Sequence, residues 1–163
     1  MCFPLVNRTA RCWVPLTLWA SVLQGQTCLM LSRPATTSDG TSVWNLYVHS
    51  TLSGAPAALQ WSFQASSSEI ASFTIDTGPA LTAFGKTVIC SANSLGYNCL
   101  AVGPNANTID SGIIAKLTVA SSTAGIRPAI RITSPLAASA EGFSIPVRVS
   151  GDCRRTALTP VGK

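Results

Sequence analysis

The sequence predicts an all-β fold of about nine strands separated by turns, the pattern of an antiparallel β-sandwich or barrel. Apolar and polar residues alternate with a period of two in most segments after residue 27. Clusters of Gly, Pro, Asn and Ser separate these segments, and no window keeps an apolar face at helical spacing for three turns. Two sheets packed face to face would bury all the inward residues together.

Composition favours one exported domain. A chain of 163 residues is long enough for a single domain with a hydrophobic core. Apolar residues make up 47% of the chain and charged residues 10%, far below the roughly 25% typical of soluble domains. The polar surface is therefore expected to consist of Ser, Thr, Asn and Gln, as is common in secreted β proteins. Intrinsic disorder is excluded by the same numbers.

Residues 1–25 are typical of a secretory signal peptide. Arg8 and Arg11 supply its positive charge, residues 12–23 its apolar stretch, and small or polar residues follow from Gly25. The apolar stretch is shorter than the about 20 residues that a membrane span needs. We therefore expect cleavage after Gly25 or the next residue and a secreted or cell-surface protein. The alternative is an uncleaved N-terminal anchor, which would be the protein's contact with a membrane.

The net charge does not predict a nucleic-acid partner. Removal of the leader lowers the formal charge from +5 to +3, with nine basic against six acidic residues. Three of these cations lie in residues 154–163, which we expect to form a flexible basic tail. Nucleic-acid binding would require a basic stripe with interleaved aromatic residues, and none is present. The folded domain is predicted to span residues 26–153.

The strands of the first half follow from apolar residues at alternate positions. The first, at 28–32, is a short apolar run that ends at Pro34. The next three span 43–50, 57–65 and 70–77. The residues predicted to face the core are Trp44, Leu46 and Val48, then Leu59, Trp61 and Phe63, then Phe73 and Ile75.

The second half repeats this alternation in five strands. They span 86–91, 96–102, 113–119, 129–133 and 143–149. The first two form a hairpin around a turn-rich stretch. The residues predicted to face the core are Ile113, Ala115, Leu117 and Val119, then Ile130 and Ile132, then Phe143, Ile145, Val147 and Val149. The Ala-rich residues 136–140 are the one place where the sequence allows a helical turn.

The cysteines predict two disulfides. Four remain after loss of the leader, and an even number in an exported chain favours disulfide bonds. Cys90 and Cys99 flank the turn of the predicted hairpin, so they are expected to face each other. Cys28 and Cys153, at the two ends of the domain, are left to pair. A zinc site is not predicted, because no Cys-x-x-Cys occurs and the single histidine, His49, is distant from every cysteine in the sequence.

The sequence contains no recognisable catalytic constellation. The acidic residues are dispersed, and Asp39 and Asp110 precede glycine-containing turns that account for them. His49 lies alone on the outward face of a predicted strand, where it is expected to be exposed. No nucleophile elbow, phosphate loop or dinucleotide fingerprint is present. We therefore expect neither enzymatic activity nor a cofactor or metal ion. A carbohydrate-active enzyme with two carboxylates assembled in space is the remaining enzymatic alternative.

Two tyrosines are the candidate ligand contacts. Trp44 and Trp61 fall on the inward register, which predicts core packing in preference to a platform for sugar rings. Tyr47 falls on the outward face of its strand, and Tyr97 falls in the hairpin. These two are therefore the residues predicted to contact a ligand.

Four segments, taken in order, resemble cohesin domains. The resemblance extends over roughly residues 28–152 and is carried by order and spacing. The segments are residues 57–63 (AALQWSF), 73–78 (FTIDTG), 110–119 (DSGIIAKLTV) and 137–147 (AASAEGFSIPV).

The resemblance implies a cohesin-like antiparallel β-sandwich of the jelly-roll, immunoglobulin-like kind, with nine strands, adjacent first and last strands and a relation to carbohydrate-binding modules. Bacterial cohesins hold polysaccharide-degrading enzymes in cellulosomes by binding dockerin domains through one open sheet face. The resemblance therefore implies an extracellular, non-catalytic module whose partner is a dockerin-like protein or a polysaccharide. The alternative is a structural subunit of a surface fibre or adhesin, which a free edge strand accepting a strand of another chain would favour.

Overall fold

A computed structural model describes residues 26–37, 41–65, 70–94, 96–123 and 128–153. Within these ranges the alternating segments form eleven strands, joined by turns, a 3-10 turn at Leu52–Gly54 and one short helix, α1, at Pro79–Thr82. The predicted leader and the predicted basic tail lie outside the described residues. The strands are β1 Thr27–Leu31, β2 Ala35–Thr36, β3 Thr41–Ser50, β4 Ala58–Ala65, β5 Ile70–Thr77, β6 Thr87–Asn93, β7 Gly96–Val102, β8 Gly112–Ser121, β9 Ile130–Ala138, β10 Ser144–Ile145 and β11 Val147–Val149.

The strands form two sheets. Sheet A has the order β11-β1-β3-β8-β5, with β2 also paired to β3, and sheet B has the order β10-β9-β4-β7-β6. Neighbouring strands are antiparallel except β1 and β11, which are parallel and place Thr27 beside Val147. The predicted antiparallel sandwich, with its first and last strands adjacent, is confirmed.

Alternation places one side of each long strand in a shared core. The side chains of Trp61 and Phe63 are buried and meet edge to face, with ring centroids 6.1 Å apart. The other large side chains that are fully buried come from both sheets and from the connections between strands. They include Leu29, Leu46, Val48, Leu59, Leu81, Ile109, Ile114, Leu117 and Val119.

The C-terminal part of the domain departs from prediction at one proline. Pro146 has no N–H to donate and separates β10 from β11. The segment predicted as one strand therefore forms a strand of sheet B and then a strand of sheet A. With the short β2, this division raises the number of strands above the predicted nine. Phe143, predicted to face the core, lies instead in the turn before β10 and is 72% exposed. Residues 136–138 belong to β9, so the helical turn allowed at 136–140 is wrong.

Both predicted disulfides are present. Cys28 is bonded to Cys153, with their Cα atoms 5.8 Å apart, so the start of β1 is tied to the segment that follows β11. Cys90 of β6 lies directly opposite Cys99 of β7, and these two residues are bonded with their Cα atoms 4.1 Å apart.

Glycine is required where β7 begins. Gly96 has a φ of +146°, and a Cβ atom there would lie 1.9 Å from the carbonyl oxygen of Phe63. Only a residue without a Cβ atom allows β7 to approach β4 this closely.

Candidate functional site

The outward face of sheet B, called the open face below, carries a row of exposed apolar side chains. Leu136 of β9 and Leu100 of β7 both pair with Gln60 of β4, and Leu100 pairs in turn with Ile89 of β6. The exposed fractions are 59% for Ile89, 39% for Leu100 and 59% for Leu136. Because directly opposite residues of antiparallel strands lie close together, the row crosses four strands as one strip. Exposed apolar side chains grouped on one sheet face in this way are typical of binding sites.

A polar row beside this strip is held by hydrogen bonds between side chains. Ser62 of β4, Asn98 of β7 and Ser91 of β6 are successive cross-strand partners. Ser62 Oγ donates to Asn98 Oδ1 at 2.7 Å, and Asn93 Nδ2 donates to the same oxygen at 2.9 Å. Two bonds occupy the amide oxygen, so the NH₂ group of Asn98 is directed away from both donors. The exposed Asn98 therefore presents an oriented hydrogen-bond donor two residues from Leu100.

The open face carries almost no charge. Arg131, near the start of β9, is the one charged residue in the described strands of sheet B. The outward face of sheet A differs, because Lys116 of β8 pairs there with Asp76 of β5 and Arg148 lies on β11. A partner of the open face would therefore be recognised by apolar contact and a few hydrogen bonds, with little electrostatic steering.

A further exposed apolar side chain, Phe143, lies at the margin of sheet B. Its turn joins β9 to β10 and is fixed by local bonds: the N–H of Ser139 donates to the carbonyl oxygen of Phe143 at 2.8 Å, and Ser139 Oγ accepts the N–H of Glu141 at 3.2 Å. Hydrogen bonding to Ser139 also lowers the pKa of the Glu141 carboxyl. Phe143 is thus held outward by an ordered turn.

The two tyrosines predicted to contact a ligand lie in different sheets, and neither belongs to the open face. Tyr47 is half-buried on the outward side of sheet A, where its ring stacks with that of His49. Tyr97 points inward from β7 and stacks on Phe73 of sheet A, with ring centroids 4.1 Å apart. Tyr97 also lines a cleft of about 380 Å³ between β5 and β6. The contact role of both residues stays a prediction.

Trp44 and Trp61 are core residues, as predicted, and the histidine is less exposed than expected. Trp61 is completely buried, and its Nε1 atom has no hydrogen-bond partner among the described residues. His49 was expected to be an exposed strand residue, but it is half-buried and its Nε2 atom is buried without a partner in the described part of the chain. The reason is its position: it stacks on Tyr47 and lies directly opposite the disulfide-bonded Cys28.

The described ranges contain no cluster of three or more His, Cys, Asp or Glu side chains placed to hold a metal ion. They also contain no helix with the length and hydropathy of a membrane span. Lys86 is 4% exposed and donates from Nζ to the carbonyl oxygen of Asn105 at 3.1 Å, and burial lowers the pKa of its amine. That bond joins the start of β6 to the loop after β7, which is a structural role.

The alternating sequence pattern did not predict that the apolar strip lies on the surface. Ile89 and Leu100 are each next to a cysteine of the hairpin in the sequence. Neighbouring residues of a strand point to opposite faces, so a prediction that the disulfide faces the core would also have predicted that both residues face outward. For Leu136, the sequence contains no comparable signal of an outward-facing side chain. Leu136 follows an irregularity in the β4–β9 register, near Ser134 with its φ of +50°, which interrupts the alternation along β9.

Comparison with known proteins finds similarity in structure alone. No family model matches the sequence, and no curated protein matches it either. The sixth cohesin of scaffoldin B from Acetivibrio cellulolyticus, solved in complex with a Cel5 dockerin, matches with a TM-score of 0.61 at 11% identity, over 77% of this chain and 94% of that chain.

Two further cohesins match over a similar range. A cohesin from Clostridium thermocellum, solved in a type I cohesin–dockerin complex, has a TM-score of 0.63 at 6% identity, over 76% of this chain and 94% of that chain. A non-cellulosomal cohesin from the archaeon Archaeoglobus fulgidus has a TM-score of 0.58 at 7% identity, over 76% and 86%. At these identities the likeness is one of fold, and the chain has a cohesin-like fold.

Proposed function

We propose that this cohesin-like chain is an extracellular, non-catalytic binding module whose open face binds a dockerin-type protein. The observation that carries the proposal is the strip formed by Leu136, Gln60, Leu100 and Ile89 on a sheet face with almost no charge. The structures of similar fold from A. cellulolyticus and C. thermocellum were solved with dockerins bound, which supports a protein as the partner.

The strip has the composition of a recognition surface. Covering exposed aliphatic side chains contributes about 25 cal/mol for each Å² of apolar surface removed from water. Leu100 is the central apolar residue, with Ile89 on one side and Leu136 beyond Gln60 on the other. Apolar side chains near the centre of an interface, with polar neighbours that exclude water, tend to contribute most of the binding free energy.

Binding to immobilised dockerin-bearing proteins tests this proposal. Leu100→Glu should reduce the affinity by about 100-fold or more, because a carboxylate would be buried without a partner. Ser72→Glu, at an exposed position on β5 of sheet A, is the matched control and should bind like the wild type. Failure of the wild type to bind any dockerin, or full binding by Leu100→Glu, would refute the proposal.

A location outside the cell is part of the proposal. It is supported by the two disulfides, which persist mainly in oxidising compartments, and by the leader-like residues 1–25. Mass spectrometry of the protein from a secreting host should find an N-terminus at Gln26 or Thr27. A mature product that begins at Met1 would contradict cleavage.

A polysaccharide ligand is the second candidate, and it would involve Tyr47 or Tyr97. Sugar rings stack on exposed aromatic faces, whereas both tyrosines are half-buried and the two tryptophans within the described ranges, Trp44 and Trp61, are buried. A glycan array run beside the dockerin panel separates the two ligands. Retention on a glycan that is lost in Tyr47→Ala, without any dockerin binding, would favour the polysaccharide.

A further inference from the structure

The edges of the two sheets differ in how well they are protected from pairing with another chain. Natural proteins protect such edges with short strands, prolines, charges and irregular register. The edge strands β2, β10 and β11 have two or three residues each and adjoin Pro34 or Pro146, and β11 also carries Arg148. The edge strand β5 carries Asp76 and has an irregular register next to Ile70.

Strand β6 has none of these protections. Its seven residues include no charge and no proline, and its pairing with β7 is regular from end to end. No described strand pairs with its other edge. The cleft of about 380 Å³ between β5 and β6 is lined by Val88 and Cys90, which leaves space beside the edge at Cys90.

The hydrogen-bonding groups that face this edge belong to Cys90 and Ala92. Opposite residues of an antiparallel ladder that do not bond each other have Cα atoms about 4.5 Å apart, against about 5.5 Å for bonded pairs. The Cα atoms of Cys90 and Cys99 are 4.1 Å apart, so the N–H and C=O of Cys90 point away from β7. The orientation of Val88 is consistent with this alternation, because its N–H points away from β7 and donates to Thr77 Oγ1 at 3.0 Å.

We propose that two copies of the chain pair antiparallel through β6, around a two-fold axis at Ser91. In this register Cys90 of each copy lies opposite Ala92 of the other, and each such pair exchanges both backbone hydrogen bonds. The bond from Val88 to Thr77 is not disturbed. The strand is uncharged, so a second copy brings no like charges together.

A second copy of the chain fits this register, because Cys90 and Ala92 of one copy lie opposite Ala92 and Cys90 of the other. The interface is isologous and therefore closes at two subunits, unlike the pairing that builds a fibre. An axis perpendicular to the joined sheet leaves both open faces on the same side. The dimer would offer two recognition strips side by side on one continuous sheet.

Analytical ultracentrifugation of the oxidised full chain tests the edge pairing without any partner. The average mass should rise reversibly from one toward two protomer masses as the concentration increases. Ala92→Pro removes an N–H that faces the open edge and lies outside the β7 ladder, so this variant should melt as a folded protein and remain monomeric. Ala92→Ser keeps the N–H and should dimerise like the wild type.

A cysteine at the axis tests the register. Ser91→Cys should form a disulfide-linked dimer on oxidation, because the two Ser91 positions face each other in the proposed pair. Ser72→Cys, on the edge strand β5, should not form one. Peptide mapping checks that the bond between Cys90 and Cys99 is intact in both variants. A monomer at every concentration, a dimer that persists in Ala92→Pro, or species larger than a dimer would overturn the proposal, and a dimer without the Ser91→Cys link would overturn the register.

Discussion

Tyr97 stacks on Phe73 across the two sheets, with ring centroids 4.1 Å apart and ring planes 10° from parallel. Phe73 also contacts Phe63, at a centroid distance of 6.0 Å, so aromatic packing extends from the core to the side of the sandwich. On this side β5 and β6 are edge strands of different sheets. The stacked pair therefore closes the core at a side where none of the described strands joins the two sheets.

Tyr97→Ala should lower the free energy of unfolding by about 2 kcal/mol, because it removes a stacked ring from the side of the core. Tyr97→Phe should cost much less, since it keeps the ring. Tyr47→Ala is the comparison on the outward face of sheet A, and it should cost less than about 1 kcal/mol. Urea unfolding measures all three, and equal losses for Tyr97→Ala and Tyr47→Ala would contradict the packing role of Tyr97.

Trp61→Ala should destabilise the domain by about 3–5 kcal/mol, because the side chain is fully buried and its loss leaves a cavity. Trp61→Phe should cost clearly less. It leaves a smaller cavity and breaks no hydrogen bond, since Nε1 of Trp61 has no partner among the described residues. Thermal and urea unfolding provide the measurement. A stable Trp61→Ala variant that has lost ligand binding would show that the indole is a contact residue and not a core residue.

Removing the two disulfides should have unequal effects. The bond between Cys28 and Cys153 closes a loop with a sequence separation of 125, and the bond between Cys90 and Cys99 one of 9. Loop-closure entropy predicts a loss of about 4–5 kcal/mol for the double change to Ala at the first pair and about 2–3 kcal/mol at the second. Urea midpoints with matched slopes would measure the difference, and a reversed order would contradict the entropic account.

Asn98→Asp should weaken binding of a dockerin about tenfold or more with little change in stability. The carboxylate can still accept from Ser62 Oγ and Asn93 Nδ2, but it replaces the outward NH₂ donor with an acceptor. Titration calorimetry measures the affinity, and thermal melting provides the control. Ser62→Ala should cost less, because Asn93 still orients the amide. Unchanged affinity in Asn98→Asp would show that the donor makes no contact, while a loss in Leu100→Glu would still support the open face.

The β-strands and the core were predictable because alternation with a period of two is a local signal. Leu46, Trp61 and Leu117 all face inward as their positions predicted, and the cysteines paired as their spacing in an exported chain suggested. The pattern failed in β8, where Ile114 and not Ile113 is fully buried, and at Phe143 and Val149, which are both exposed. It also failed at the division of the last strand. Pro146 lies where the chain passes from sheet B to sheet A, and an alternating pattern carries no information about such a change of sheet.

The sequence by itself determined which side of most strands is buried, because the hydrophobic effect acts on each side chain according to its position in the pleat. Only the tertiary structure decided which outward residues are neighbours. Ile89, Leu100 and Leu136 are far apart in the chain and become one strip through the order β9-β4-β7-β6. Strand order and register arise from long-range pairing and from irregularities such as the one near Ser134. It is this strand order and register that bring the residues of the surface for a partner together.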